Sequence, residues 1–255
     1  MHGRPDEVQQ LLASLVPAIS NGIDRILVID NGYESLDVVP EGVFVYSVQN
    51  RGFGAAVNTG IQLSKANVIL VLNPDLLLED CNVIVSLANR LAMDPCAGAC
   101  APVIVDETGR PDDCIFTRTP TAKRLFFSAL LPSWSRWSVR RDLDRQVGVS
   151  SLPGACFAVR SEVFHSIGGF DESFFLYFED ADLFRRIRRS GHKLVLHRDL
   201  RVRHRGGSSM GSDSRRRDFH RQGQYTYLRK WNGWPVASSF RLLVWIEQLL
   251  RPLAS

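Results

Sequence analysis

The sequence predicts an α/β fold: a three-layer, Rossmann-like sandwich around a central, mostly parallel sheet. Short apolar runs end in polar residues, and helical patterns separate these runs. The runs are Arg25–Asp30, Val43–Val48 and Val68–Asn73. Uninterrupted apolar runs of this length are typical of strands buried on both faces of a sheet. Their alternation with helices favours crossover connections and therefore parallel strands.

The helices are indicated by apolar residues that recur with a period near 3.6. A first helix follows Pro5 and is expected to end before Pro17. Two more are predicted at about 55–65 and 83–91. A fourth, at 179–189, has acidic residues at its start and arginines at its end, the charge order that the helix dipole favours. The sequence thus supplies helices for both faces of the sheet.

The chain divides into three predicted parts, with the first two fused in one domain. Residues 1–105 carry the strand–helix alternation and form the first half. Residues 106–210 form the second half, and 211–255 a C-terminal helical extension. Within the second part, 106–150 is less regular and is interpreted as an excursion that covers the site or contacts an acceptor.

Composition sets limits on the class of protein. The chain has 255 residues, 45% of them hydrophobic, and five cysteines without any CxxC pair. No apolar run approaches the roughly 20 residues that a membrane-spanning helix needs. A cytoplasmic location is therefore predicted, with peripheral contact at the inner face of the membrane as a further option.

Charge is unevenly distributed along the chain. The net charge is +4, yet residues 185–230 contain fifteen Lys and Arg against three Asp and Glu. A basic segment of this size suits an anionic partner such as a diphosphate, an anionic membrane surface or nucleic acid. Phe219, Tyr225, Tyr227 and the adjacent Trp231 could stack on bases, yet nucleic acid is the least favoured of these partners.

The C-terminal pattern at 240–253 predicts an amphipathic helix. Its apolar residues share one face, and Arg241 and Arg251 lie opposite. Packing on its own domain and contact with a membrane surface both explain such a face. The apolar residues are Leu242, Trp245, Ile246, Leu249, Leu250 and Leu253.

Polar residues close the predicted strands. Asp30, Asn50 and Asp75 each fall at or just after a strand's carboxyl end. In open α/β sheets, ligands bind at this edge. We therefore expect these three side chains to lie near one binding site.

A second acidic site follows an aromatic run. Phe174–Phe178 leads directly into Glu179, Asp180 and Asp182 at a predicted helix start. Partial desolvation beside rings tunes a carboxylate for proton transfer. Asp180 and Asp182 are two residues apart and cannot point the same way on a helix, so Asp182 is interpreted as structural, with Arg185 and Arg186 as partners.

The loop 50–60 joins a strand to a helix and contains the pattern GxGxxV. Small residues let backbone amides approach a ligand, and a helix amino end favours an anion. With Asp75 further along the chain, a dinucleotide-binding fold is a competing interpretation. The sequence lacks the third glycine of that pattern, and a dinucleotide-binding fold would give Asn50 and Asn58 no role.

Taken together and in order, these motifs resemble glycosyltransferase family 2, with the bacterial rhamnosyltransferase-like subgroup the most similar. The resemblance covers roughly residues 5–210. The motifs that carry it are Val28–Asn31, Asn50–Gly54, Asn58, Gly60, Asn73–Asp75, Gly154–Cys156, Gly168–Glu172, Phe175–Leu183 and His204–Ser208.

The resemblance implies a GT-A fold and an inverting sugar transfer from a nucleotide-diphosphate sugar, either dTDP-rhamnose or a UDP-sugar. It implies that 1–105 is a nucleotide-sugar-binding half and 106–210 an acceptor and catalytic half. It also implies a saccharide or lipid-linked acceptor and bound Mg²⁺ or Mn²⁺. Asp180 would be the general base, with Glu179 beside it. Donor-binding residues would be Asp30, Asn50, Gly52, Asn58 and Asp75; metal ligands Asp75 and His204; acceptor-side residues Gly154 and Ala155.

Two departures from the family pattern stand out. The family's fold opens with a strand of the kind VVVVTYN, and Met1–Pro5 resembles the tail of that segment. Loss of a central strand would expose sheet edges. In addition, Asn73 replaces an acid, leaving one carboxylate in that motif. The alternative function is therefore a non-catalytic nucleotide-sugar-binding relative disabled by the missing strand.

Overall fold

The structure is a computed structural model. It describes residues 5–32, 38–111, 118–130, 149–205 and 213–250. The α/β class is confirmed, since helices cover a mixed β-sheet and a smaller two-stranded one. Several interpretations from the sequence concern residues outside these ranges: 1–4 of the first segment, 112–117 and 131–148 of the excursion, the glycines and serine at 206–208, and Arg251 and Leu253 of the C-terminal helix.

The N-terminal part follows the predicted order of elements, with one short strand added. The elements are α1 (Pro5–Ile19), β1 (Ile26–Asp30), β2 (Val43–Ser47), α2 (Phe53–Gln62), β3 (Val68–Leu72), β4 (Leu76–Leu77) and α3 (Asn82–Met93).

The remainder contains three strands, two of them long, and five helices among the described residues. They are β5 (Ala97–Val105), α4 (Ala122–Leu130), β6 (Cys156–Arg160), α5 (Ser161–Ser166), α6 (Glu179–Arg189), β7 (Lys193–His204), α7 (Asp213–Asn232) and α8 (Trp234–Leu250).

Helix α1 does not end before Pro17, as predicted, but continues to Ile19. A proline in the last turn removes one hydrogen bond. Leu15 and Ala18 lie on either side of Pro17, and both are buried. Burial of these side chains favours continuation of the helix past the proline.

Strands β5 and β7 are absent from the prediction. All nine residues of β5 are buried, yet its first six, which are alanine, glycine, cysteine and proline, have low strand propensity, and only Val103–Val105 favours a strand. Strand β7 alternates apolar and basic residues only at 200–203, and its arginines indicate a charged segment rather than a strand. Tertiary burial, which local sequence does not encode, determines both strands.

The five-stranded sheet has the order β3-β6-β5-β7-β4. Strands β3, β5 and β7 run in one direction, while β6 and β4 run in the other. Strands β1 and β2 form a separate parallel pair. The carboxyl end of β3 therefore lies beside the amino end of β6, which brings Asn73 next to Ala155: the Asn73 amide donates to the Ala155 carbonyl at 2.8 Å.

A cavity of about 1500 Å³ is lined by both β1 and β3, which belong to different sheets. Its lining there is apolar and includes residues 26–29 and 68–72. Strand β3 ends its sheet, as does β1 among the described strands. Strands β1 and β3 thus flank the cavity, which extends to Asp75 and Asp180.

Helices α7 and α8 pack on the rest of the domain. Tyr227 and Phe240 are buried in a cluster with Leu125, Phe174 and Phe178, which links α4, α7 and α8 to the segment before α6. The C-terminal extension therefore supports the segment that carries Asp180.

No helix in the described residues has the length and hydropathy to cross a membrane.

Candidate active site

Asp180 lies in the first turn of α6, partly exposed, and lines the large cavity. Its carboxylate accepts a hydrogen bond from the Ala181 amide at 2.7 Å and another from the Gly154 amide. Gly154 is so close that a Cβ there would lie 2.6 Å from Oδ2 of Asp180. The predicted acceptor-side glycine therefore fixes the position of the carboxylate.

Burial raises the pKa of Asp180, and the backbone hydrogen bonds oppose the shift. Burial, followed by the charge of Asp180, also raises the pKa of Glu179. A carboxylate with a raised pKa is a stronger base than a solvated one. The pair thus supplies one group suited to accept a proton near neutral pH.

The two carboxylates are placed differently. Glu179 is 5% exposed and does not line the cavity. Its Oε2 atom has no hydrogen-bond partner among the described residues. Glu179 was predicted to be catalytic together with Asp180, but only Asp180 faces the space where a substrate could bind.

The backbone before α6 is held in an uncommon conformation. Tyr177 and Phe178 have φ angles of 67° and 69°, the left-handed region. Each such residue costs roughly 1–3 kcal/mol and needs support from its surroundings. Helix α7 provides it: the His220 ring lies 5.5 Å from Tyr177 and 5.2 Å from Phe178. Gly223 lets α7 approach the Tyr177 carbonyl closely.

Asp182 anchors α6 from the side away from the cavity. Its carboxylate is 0% exposed and accepts from Arg186 Nε at 2.8 Å, Lys230 Nζ at 2.9 Å and Trp231 Nε1 at 2.9 Å. The structural role predicted for Asp182 matches this geometry, with Arg186 as one partner. Arg185 instead stacks over Trp231 at 4.0 Å.

The acidic site around Asp75 lies in the turn between β3 and β4. Asp75 is 3% exposed, and its Oδ1 lies 3.0 Å from Nε2 of His204. The antiparallel pairing of β4 with β7 sets this contact, because Leu76 pairs with His204. The structure therefore places both predicted metal ligands side by side, although 129 positions separate them.

The residues around Asp75 fit a divalent cation. No cluster of three or more His, Cys, Asp or Glu side chains is present in the described residues. However, Oδ1 of Asn73 is buried without a hydrogen-bond partner among them, and Asn73 lines the cavity with Asp75 and His204. Carboxylate and amide oxygens suit Mg²⁺, and a protein usually contributes only one or two carboxylates to it.

Gly52 connects the two halves of the site. Its φ is 100°, and a Cβ there would lie 2.2 Å from the Phe175 carbonyl oxygen. The Asn50 side chain accepts from the Gly52 amide at 3.1 Å, which shapes the loop. Gly52 lines the cavity, whereas Asn50 does not. Glycine is required here for both the backbone conformation and the close approach.

Asp30 and Asn58 do not face the cavity. The Asp30 carboxylate is buried and accepts from the Gly32 amide at 3.2 Å. Asn58 was predicted to bind the donor, but its amide bonds with Phe170 at 2.8 and 3.0 Å and with Glu172 at 3.0 Å. These bonds occupy its side chain in holding a loop, and donor binding by Asn58 stays a prediction.

The cavity therefore brings together Gly52, Asp75, Asp180 and His204 of the predicted site residues. Asp30, Asn50, Asn58, Glu179, Gly154 and Ala155 lie outside its lining. The prediction singled out neither Asn31 nor Arg216, Arg217, His220 and Arg221 of α7, which do line it. The basic excess at 185–230 was the available signal for the α7 residues, although it did not indicate which of them point inward.

Replacing Gly154 with alanine is expected to displace Asp180. The new Cβ would lie 2.6 Å from the carboxylate oxygen and 2.8 Å from the Asp180 Cβ. Because misplacing a catalytic group by about 1 Å can cost on the order of 10²-fold in rate, we expect a fall in kcat of that order. Steady-state kinetics measures it, and Gly109→Ala, in open space on the surface, is the control. Unchanged kcat in Gly154→Ala would contradict this placement.

Comparisons with known proteins agree with the geometry. The sequence model of a family described as glycosyltransferase like family 2 matches residues 37–223. An N-acetylglucosaminyl-diphospho-decaprenol L-rhamnosyltransferase of Mycobacterium tuberculosis is 28% identical, over 89% of this chain and 81% of the relative. The rhamnosyltransferase WbbL of Escherichia coli K12 is 23% identical, over 90% of each chain.

Solved structures share the fold. A mannosyltransferase from Pyrobaculum calidifontis, in complex with GDP-Man and Mn²⁺, superposes with a TM-score of 0.60 at 14% identity, over 98% of this chain and 68% of that one. Glucosyl-3-phosphoglycerate synthase from Mycobacterium tuberculosis, with Mn²⁺ and UDP, gives 0.60 at 16% identity, over 89% and 74%. The predicted GT-A architecture is therefore confirmed.

Proposed function

The chain is a glycosyltransferase of the glycosyltransferase-like family 2, and from this premise we propose that it performs an inverting transfer in which Asp180 is the general base. The observation that carries the proposal is one cavity containing Asp180 and, on a different element, Asp75 with His204. Such an arrangement separates the group that activates an acceptor from the group that holds a diphosphate.

Asp180 is suited to take the proton of an acceptor hydroxyl. Its carboxylate lines the cavity, and its raised pKa strengthens it as a base. The Gly154 and Ala181 amides hold it in place. As the proton moves to Asp180, the hydroxyl oxygen attacks the anomeric carbon from the side opposite the nucleoside diphosphate. This in-line displacement inverts the configuration at that carbon.

Asp75, His204 and Asn73 are the residues that would hold Mg²⁺ or Mn²⁺. Bound there, the cation neutralises charge on the departing diphosphate. Asp75 and the buried Oδ1 of Asn73 supply hard oxygen ligands, and both structural neighbours named above carry Mn²⁺. Gly52 borders the same cavity, where the absence of a side chain leaves room for the donor.

The sugar proposed for transfer is L-rhamnose, from dTDP-rhamnose, with UDP-sugars as the other donor class. Both curated relatives are rhamnosyltransferases by name, and one acts on a diphospho-decaprenol-linked sugar. A lipid-linked saccharide is accordingly the proposed acceptor. The product would be a precursor of a bacterial surface polysaccharide.

Contact with a membrane surface fits such an acceptor. Helix α8 exposes large apolar residues with the spacing i, i+3, i+4, i+7, which places them on one face. Trp245 is 56% exposed and Leu249 54%. Helices with an exposed apolar face and basic neighbours bind bilayer surfaces. The residues are Leu242, Trp245, Ile246 and Leu249.

Metal removal tests the proposed function. We expect release of nucleoside diphosphate from dTDP-rhamnose, in the presence of a lipid-linked acceptor, to stop with EDTA and to recover with Mn²⁺. Asp75→Asn should weaken Mn²⁺ activation, because it removes the buried carboxylate ligand. Asp80→Asn, on the exposed surface nearby, is the control. Full turnover in EDTA would refute the metal assignment.

The non-catalytic alternative predicts a different outcome. A nucleotide-sugar-binding relative would bind dTDP-rhamnose in calorimetric titration but release no diphosphate with any acceptor. Donor binding without acceptor-dependent turnover, across saccharide and lipid-linked acceptors, would therefore favour that alternative over transfer.

A further inference from the structure

One face of α7 presents basic side chains to the cavity that contains Asp180. Arg216, Arg217, His220 and Arg221 all line it. They occupy positions i, i+1, i+4 and i+5, which share one side of a helix. Arg124 of α4 lines the same cavity. The catalytic roles proposed above use none of these residues.

This face lies beside the segment that leads into Asp180. Phe219 stacks on Phe175 with ring centroids 5.0 Å apart, and His220 contacts Phe178 at 5.2 Å. Gly223 lies close to the Tyr177 carbonyl. Arg216 and Arg217 lie about one turn before Phe219 and His220 on α7, and they line the same cavity as the general base. Asp75 and His204, in contrast, sit at the end of β3 and β7.

Arg124, Arg216 and Arg217 supply most of the positive charge here. Arg221 pairs with Glu247 of α8 at 3.4 Å. Burial lowers the pKa of His220 to about 4, so its ring is neutral at neutral pH. Guanidinium groups bind phosphate oxygens through paired hydrogen bonds, which makes Arg the preferred residue for phosphate recognition.

An apolar surface adjoins the basic face. Val244 of α8 lines the cavity, and the Arg221–Glu247 pair joins α7 to α8. Helix α8 also carries the exposed stripe that includes Trp245 and Leu249. A ligand with a diphosphate at the basic face could thus extend a hydrocarbon chain along α8. A free anion without a hydrocarbon chain would not contact that apolar stripe.

We propose that Arg216 and Arg217, with Arg124, bind the diphosphate of the acceptor, so that the enzyme acts on a sugar carried by a lipid diphosphate. This subsite rests on the proposed transfer and is separate from the one for the donor diphosphate at Asp75. It selects acceptors in which a diphosphate lies next to the sugar whose hydroxyl reaches Asp180.

Binding measurements test the subsite without any turnover. Geranyl diphosphate would be titrated calorimetrically into the protein saturated with Mn²⁺ and dTDP. We expect binding to persist under these conditions and geraniol to bind far more weakly. Because hydrogen bonds to charged groups contribute strongly, Arg216→Ala and Arg217→Ala should each raise the Kd for geranyl diphosphate by about 10- to 100-fold. Arg216→Lys keeps the charge but loses the paired hydrogen-bond geometry. Its Kd should therefore lie between those of the wild type and Arg216→Ala.

The matched control is Arg215→Ala, on the same helix but exposed and outside the cavity lining. It should leave the Kd unchanged, and dTDP affinity should be unchanged in all four variants. Three results would overturn the proposal: no binding by the wild type, competition between geranyl diphosphate and dTDP, or a loss of dTDP affinity in Arg216→Ala. A failed transfer assay with intact geranyl diphosphate binding would count against the proposed function alone.

Discussion

Asp180→Asn is expected to abolish sugar transfer while leaving the fold intact. General-base catalysis contributes about 10²- to 10⁴-fold to rate, so kcat should fall by that range. Stability at neutral pH should be retained or raised, because burial disfavours the charged carboxylate that the substitution removes. Steady-state release of nucleoside diphosphate and thermal unfolding measure the two quantities.

Glu179→Gln provides the comparison that separates the two adjacent carboxylates. Glu179 does not line the cavity, so its loss should lower kcat less than the loss of Asp180. The acid limb of the pH–rate profile should keep its position, because burial, and not the charge of Glu179, raises the pKa of Asp180. An inactive Glu179→Gln beside an active Asp180→Asn would reverse the assignment.

Asp182→Ala is expected to have the largest effect on stability. The substitution removes a fully buried carboxylate and leaves Arg186, Lys230 and the Trp231 indole without their common acceptor. Breaking a buried charge pair from one side costs about 3–5 kcal/mol. Denaturant unfolding should show a loss of this size. Activity should fall with it, because the anchor holds α6 against α7.

Asp199→Ala is the matched control for this prediction. Asp199 also binds an arginine, Arg90, at 2.6 Å, but its side chain is 61% exposed. Exposed ion pairs contribute little to stability because water and salt screen them. We expect an unfolding midpoint close to that of the wild type. Equal losses of stability in the two variants would contradict the assignment of Asp182 as the residue that anchors α6.

The two acidic sites could be found from the sequence because their context is local. Asp75 ends an apolar strand, and Asp180 follows an aromatic run at a helix start. Pairing of Asp75 with His204 depends on β4 and β7, neither of which was predicted. The motif resemblance, rather than strand prediction, identified His204 as its partner.

What the local sequence did not reveal are contacts between distant parts of the chain. Asn58 has the residue type and position of a donor ligand, and its hydrogen bonds go to Phe170, 112 positions later. Strand β5 begins with six residues of low strand propensity, which burial holds in the sheet. The inward face of α7 likewise depends on how it packs against Tyr177 and Phe178. None of these is visible in a local pattern.

The most direct test of the central claim, a shared cavity with a diphosphate side and a base side, is calorimetric titration of dTDP into Mn²⁺-saturated protein. The wild type would be compared with Asp75→Asn and Asp180→Asn. The account predicts wild-type affinity in Asp180→Asn, which lacks transfer, and a marked loss in Asp75→Asn. Wild-type affinity in Asp75→Asn, or an equal loss in both variants, would contradict it.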